Sequence, residues 1–235
     1  FGTVYDYDVD LNPASGDMYT DADMDAEDVR EAYIEALGGE DAVEGVKSIA
    51  YTGKVKMSMQ GQSMDGDAER KLMAPNMEYT ALKLPVMQQM QWFNGSEGWV
   101  SLNGGAPGAM KPDEVAEQKE SAGLFPGLGV GHEGWKSEVL GAKGGEIHVS
   151  VVNGAGKKSL YVFTQETMLL DRIEKTEQTP NGPMLNTTLF KDYSVVDGVQ
   201  VPATVQIKNA MYSIDFAWTV AVNSGVAESD FSPAK

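Results

Sequence analysis

From Ile49 the sequence alternates. Ile49, Tyr51, Val55, Met57 and Met59 take one parity, and Thr52, Lys54, Lys56, Ser58 and Gln60 take the other. A period of two puts the whole first set on one side of a pleated backbone, so this stretch is predicted to be a half-buried antiparallel strand. The pattern returns near the end of the chain. Val199, Val201, Ala203, Val205 and Ile207 alternate with Gln200, Thr204, Gln206 and Lys208. Tyr212, Ile214, Phe216, Trp218, Val220 and Val222 alternate with Ser213, Asp215 and Thr219. Further strands are predicted at 63–73, 77–84, 86–93, 97–102, 136–142, 146–152, 158–164, 168–177 and 184–195. Turn-forming runs separate them, including APN at 74–76, NG at 94–95, NGAG at 153–156, PNGP at 180–183 and DG at 197–198. Long strands joined by tight turns make a meander, and hence an up-and-down antiparallel sheet that curls.

Helical spacing is confined to short stretches. In DAEDVREAYIEALGG, Asp25 is placed to cap, Asp28 complements the positive end of the helix dipole, and Gly38 and Gly39 terminate. Val29, Ala32, Tyr33, Ala36 and Leu37 form its buried stripe. A short second turn, EDAVEGVKSI, leads into the first strand. A mid-chain helix is predicted in KPDEVAEQKESAG, with Pro112 near its first turn and Gly123 at its end. The glycine-rich GLFPGLGVGHEGW that follows is predicted to be a surface loop. The fold class is therefore mainly β with few helices (α+β). At 235 residues the chain is long enough to bury a real core, and no boundary is visible after residue 25.

The lead-in FGTVYDYDVDLNPASGD places Asp6, Asp8, Asp10 and Asp17 almost as a calcium loop would. Leu11 stands where the turn needs Gly, Asp17 is a methylene shorter than the usual bidentate Glu, and Pro13 stiffens the loop. Residues 1–24 are thus expected to be a solvated acidic linker, with calcium the one cofactor this segment suggests. The chain begins at Phe1 without a charged-then-apolar signal and is expected to be a processed or excised piece. A net charge of −17 would repel nucleic acid and anionic lipid surfaces and favours cationic or neutral apolar partners. No apolar run approaches the length of a membrane-spanning helix. With no cysteine, disulfides, thiolate zinc sites and cysteine nucleophiles are excluded.

Catalytic patterns are lacking. There is no H-x-x-E-H, no G-x-S-x-G and no phosphate loop, and only two histidines. His148 has the polar parity of its strand, which predicts a solvated imidazole, and His132 lies in the Gly-rich loop beside Glu133. No catalytic residue is assigned. The unusual composition is methionine, 13 residues, with Met57, Met59, Met64, Met73, Met77, Met87 and Met90 in the first half of the strands. Flexible, polarisable thioethers fit irregular apolar shapes. Tyr51, Met57, Met59, Met90, Trp92, Tyr212, Phe216 and Trp218 form the candidate lining for a hydrophobic ligand. The same residues would equally serve as ordinary core beneath a helix.

Several motifs occur together in a fixed order. YIEALGGEDAVEGVKSI, KLMAPNMEY, WFNGSEGWV, LYVFTQETMLLDRIE, DYSVVDGVQVP and SDFSP together resemble a bacterial envelope domain of the lipoprotein-carrier (LolA-like, outer-membrane lipoprotein-sorting) type. The opening FGTVYDYDVDLNP resembles the last strand and exit linker of an insulinase-like zinc peptidase, in which Gly usually stands at the Leu11 position. The resemblance implies an incomplete β-barrel with helices, the N-terminal one among them, packed in its concave face. It implies residues 25–235 as one half-barrel domain behind an upstream peptidase region, in the periplasm or cell envelope. It also implies a noncatalytic piece that binds a lipid, an acyl chain, a lipoprotein or an apolar peptide. The alternative is an accessory or spacer domain that docks substrates or partners for the peptidase.

Overall fold

One antiparallel sheet of thirteen strands makes up most of the computed structural model, which describes residues 7–14, 18–121, 123–180 and 182–234. The first meander comprises β1 (Ser48–Met59), β2 (Gln62–Met73), β3 (Met77–Leu84), β4 (Met87–Phe93), β5 (Gly98–Leu102) and β6 (Gly108–Ala109). The second comprises β7 (Lys136–Lys143), β8 (Glu146–Val152), β9 (Lys158–Thr164), β10 (Leu170–Thr179), β11 (Gly182–Val196), β12 (Val199–Lys208) and β13 (Tyr212–Val222). The two meanders join through β1 and β13, from Ile49 opposite Val222 to Met59 opposite Tyr212. The order β6-β5-β4-β3-β2-β1-β13-β12-β11-β10-β9-β8-β7 leaves β6 and β7 as free edges, so the sheet is not a closed barrel. Every strand expected from alternation is present. Only two-residue β6 carried no pattern to find.

Three helices accompany the sheet: α1 (Ala26–Leu37), α2 (Glu40–Gly45) and α3 (Pro112–Ser121). The Asp25 carboxylate accepts from the amides of Glu27 and Asp28, and the Asp28 carboxylate accepts from the Asp25 amide, a reciprocal cap. Val29, Tyr33 and Leu37 are the buried residues of α1 and enter the main core with Ile49, Val149, Phe163, Val201 and Val222. α1 touches both β12 and β7. Those strands are five spacings apart, roughly 24 Å on a flat sheet, whereas a twelve-residue helix is only about 18 Å long. The sheet must therefore curl around the helix, and the face against α1 is its inner face.

The Gly-rich stretch after α3 is a correction to the expected surface loop. Phe125 and Val130 are buried in the main core, with Leu124 and Leu128 packed against it. Glycine permits this burial. A β-carbon on Gly127, in the 3-10 turn Pro126–Gly129, would lie 2.4 Å from Cε1 of Tyr33, so the loop backbone rests directly on the α1 ring. The glycine content predicted a surface loop, while Leu124, Phe125, Leu128 and Val130 made the stretch a plug.

Candidate functional site

The ladder register assigns each candidate lining residue to a face. Opposed residues in an antiparallel pair share a side. Tyr51, Met57 and Met59 lie opposite Val220, Ile214 and Tyr212, and with Phe216 and Trp218 they occupy the inner face. Met90 and Trp92 lie opposite Ala81 and Tyr79, which pair with Glu69 and Lys71 of the outer face. The structure thus brings Tyr51, Met57, Met59, Tyr212, Phe216 and Trp218 together and leaves Met90 and Trp92 behind them. Trp92 instead packs beside Tyr79 at 5.8 Å. Over that region of the outer face runs the C-terminal turn Glu228–Phe231, held by Phe231, which is wholly buried, and by a Lys71–Asp230 ion pair at 3.2 Å.

On the inner face below α1, Val55, Ala68 and Leu84 anchor a second apolar cluster completed by Met57, Met64, Leu82, Met87, Ile214, Phe216 and Trp218. All of them come from strands or strand ends, and among the described residues no helix residue joins them. The methionines, Ile214, Phe216 and Trp218 remain partly exposed. Phe216 and Trp218 stack at 5.0 Å and 6°, forming a flat aromatic wall. Between this strip and the core lies a polar crossing. Arg70 Nε donates to Glu78 Oε1 at 2.7 Å, Gln118 Nε2 of α3 donates to Glu78 Oε2 at 2.7 Å, and Gln91 Nε2 donates to Gln118 Oε1 at 3.1 Å. Burial lifts the Tyr51 phenol above its ordinary pKa, with the Arg70 cation opposing that shift.

From the same C-terminal half α3 also reaches the β8–β9 turn, where Glu117 pairs with Lys157 at 2.7 Å and Glu120 accepts from the Gly154 amide at 3.0 Å. The helix therefore crosses the open side of the sheet on polar contacts. Beneath it and the 123–135 loop lies a cleft of about 1530 Å³. Its floor is the inner face of β8–β10, with Val151, Ser159, Tyr161, Ile173 and Lys175, and Trp135 forms a side wall. None of the eight sequence candidates lines it. Lys175 is exposed at the cleft mouth, and the protein packed around its stem lowers its pKa, with Glu117 and Glu177 opposing that shift. Burial pushes the Tyr161 phenol up to about 12. Sequence reading missed Tyr161 because SLYVF has no alternation: both faces of β9 are covered, and its central five residues are all buried.

The outer cover of β8 and β9 is the lead-in, which corrects two expectations. Leu11 is buried against Leu160 and Val162, with Tyr7 packed beside them, so the described part of the segment is folded onto the sheet and is not a solvated linker. His148 is 2% exposed and not solvated. Its Nδ1 lies 2.6 Å from the Tyr7 hydroxyl, which also bonds Tyr19, and its Nε2 lies 3.1 Å from Glu146 Oε2. Arg172 grips Glu146 with both terminal nitrogens, at 2.7 and 2.9 Å. Burial lowers the His148 pKa against the pull of Glu146, and the Arg172 hydrogen bonds hold the Glu146 carboxyl below its ordinary value. Of the four calcium candidates, Asp6 and Asp17 lie outside the described residues. Asp8 spends its carboxylate on its own turn, accepting from the amides of Asp10 and Asn12 and from Asn12 Nδ2. Among the described residues no three acidic or histidine side chains converge as a metal site.

No protein-family model matches the sequence, and no curated protein matches it either. Solved structures do share the architecture. A DUF1329 family protein from Desulfovibrio piger is similar at a TM-score of 0.58 and 11% identity, covering 91% of this chain and 98% of that one. A LolA superfamily protein from Nitrosomonas europaea gives 0.56 and 10%, covering 89% and 98%. A domain from Vibrio parahaemolyticus described by outer membrane lipoprotein sorting gives 0.58 and 13%, covering 88% and 97%. The fold is LolA-like, an open curved sheet around a helix. At these identities the likeness concerns fold alone.

Proposed function

We propose that the domain binds a hydrophobic ligand, such as a lipid, an acyl chain or an apolar peptide segment, on the inner face of its open sheet and performs no catalysis. The observation that carries this reading is the strip of Met57, Met64, Met87, Ile214, Phe216 and Trp218, partly exposed and, among the described residues, with no helix residue packed into it. Apolar surface left in water is unfavourable by roughly 25 cal/mol per Å², and flexible thioethers can close around more than one apolar shape. The likeness to the Vibrio parahaemolyticus domain described by outer membrane lipoprotein sorting, and to the Nitrosomonas europaea LolA superfamily protein, supports the same reading and with it a place in the bacterial periplasm or cell envelope. The test is binding of a fluorescent alkyl probe. Phe216→Ser, on a partly exposed side chain, should weaken uptake about tenfold, the effect of losing roughly 1.4 kcal/mol of apolar contact. A wild-type protein that takes up no probe would overturn the reading.

A second reading has one observation in its favour. Residues 7–14 are fixed to β8 and β9 through Leu11, and Lys158 Nζ donates to Asn12 Oδ1 at 2.7 Å. A polypeptide preceding residue 7 would thus leave the domain at a defined place, as an accessory domain behind insulinase-like peptidase halves requires. Residues 1–24 would then be the connector and 25–235 the domain. An H-x-x-E-H in the coding sequence upstream of Phe1 is the expected finding, and an unrelated upstream sequence would remove this alternative.

A further inference from the structure

We propose that the cleft under α3 is a second, chemically distinct site that takes the carboxylate of an apolar chain, with Lys175, Tyr161 and Ser159 reading the anionic end. The proposal rests on the hydrophobic-ligand reading for the tail and adds the head. Three observations carry it. First, the ladder puts the three side chains on one patch: Lys175 is directly opposite Ser159, and Tyr161 opposite Ile173 is the diagonal neighbour. Cross-strand partners stand roughly 4.5–5.5 Å apart at Cβ, so one carboxylate can be reached from adjacent positions. Second, all three face the cleft without a hydrogen-bond or ion-pair partner among the described residues. Tyr161 is 6% exposed and Ser159 8%, whereas Lys175 is exposed, so the ammonium stands at the mouth of the cleft and the two hydroxyl side chains lie deeper. Third, the surroundings are apolar where a chain would lie, with Val151, Ile173, Leu128 and Trp135 on the walls.

The cleft is locally far less negative than a protein with a net charge of −17: Lys119, Lys157, Lys158 and Lys175, four of the 18 basic residues, line it beside the carboxylates of Asp10, Glu117, Glu120, Glu133 and Glu177. Lys157 is taken by Glu117 and Lys158 by Asn12, which leaves Lys119 on α3 and Lys175 on the floor, and Lys175 is the one opposite Ser159. Glu117 and Glu177 are near enough to favour its charged form without forming an ion pair with it. A carboxylate between an ammonium and two hydroxyl donors makes charge-assisted bonds that a neutral alcohol cannot.

Calorimetry with dodecanoate and dodecanol on the whole chain tests this. Dodecanoate should bind the wild type about tenfold more tightly than dodecanol. Lys175→Met should remove that advantage and leave dodecanol affinity within about twofold, Lys175→Arg should restore most of it, and Tyr161→Phe should cost about threefold for dodecanoate alone. Equal binding of the two ligands, unaltered by Lys175→Met, would overturn the carboxylate site while sparing the hydrophobic-ligand reading. Binding of neither would overturn both.

Discussion

Leu11 has a backbone φ of 56°, the left-handed region where glycine is at ease, yet its side chain is 2% exposed. The conformation costs roughly 1–2 kcal/mol for a residue with a β-carbon, and burying a leucine returns roughly 1.5–3 kcal/mol. The two nearly offset, which explains how a leucine is tolerated at a turn that would otherwise favour glycine. His148 is the corresponding case for charge. Its folded pKa is depressed by burial, so the unfolded chain binds its proton more readily. Its contribution to stability is whole above the unfolded value of about 6.5 and is lost as pH falls through that value toward the lower folded one. Tyr7, Tyr19, Glu146 and Arg172 surround the ring, and none of the neighbouring carboxylates outweighs the desolvation. The melting temperature should therefore fall between pH 7 and pH 5, and His148→Gln should flatten that slope. An unchanged slope would remove His148 as its source. The parity of His148 was legible in sequence, but the cover above it was not, because Tyr7 reaches it across 141 positions.

Elements differ in what holds them. α1 is fixed by three buried side chains, whereas none of the described residues of α3 is buried and its ties are the Gln118, Glu117 and Glu120 contacts. Exposed polar ties contribute little, about 0–1 kcal/mol for a surface ion pair. Amide hydrogen exchange in α3 should accordingly be much faster than in α1, and equal protection of the two would contradict this account. The 123–135 loop sits at the other extreme. Gly127→Ala would drive a methyl group into the Tyr33 ring, and the expected cost is roughly 1–3 kcal/mol in denaturant unfolding. A neutral result would mean that the loop is free to lift.

For the molecule as a whole, the open edges at β6 and β7 keep the inner face accessible from the side. Among the described residues, one region of that face lies under α1, one under α3 and one without a helix. The sequence by itself determined the strands, their parity and the caps of α1, because a period of two and a capping carboxylate act over a few residues. It also put Met57, Phe216 and Trp218 of the apolar strip on one parity of strands that pair in the curled sheet, whereas Met64, Met87 and Ile214 were not among its candidate lining residues. Tertiary structure alone decided which face Met90 and Trp92 took, because parity relates residues within one strand and only the ladder relates one strand to another. It alone brought Lys175, Tyr161 and Ser159 under α3 and the acidic lead-in over β8 and β9. Those positions come from long-range packing of covers on a twisted sheet, and no local pattern of residues encodes what will lie above a strand.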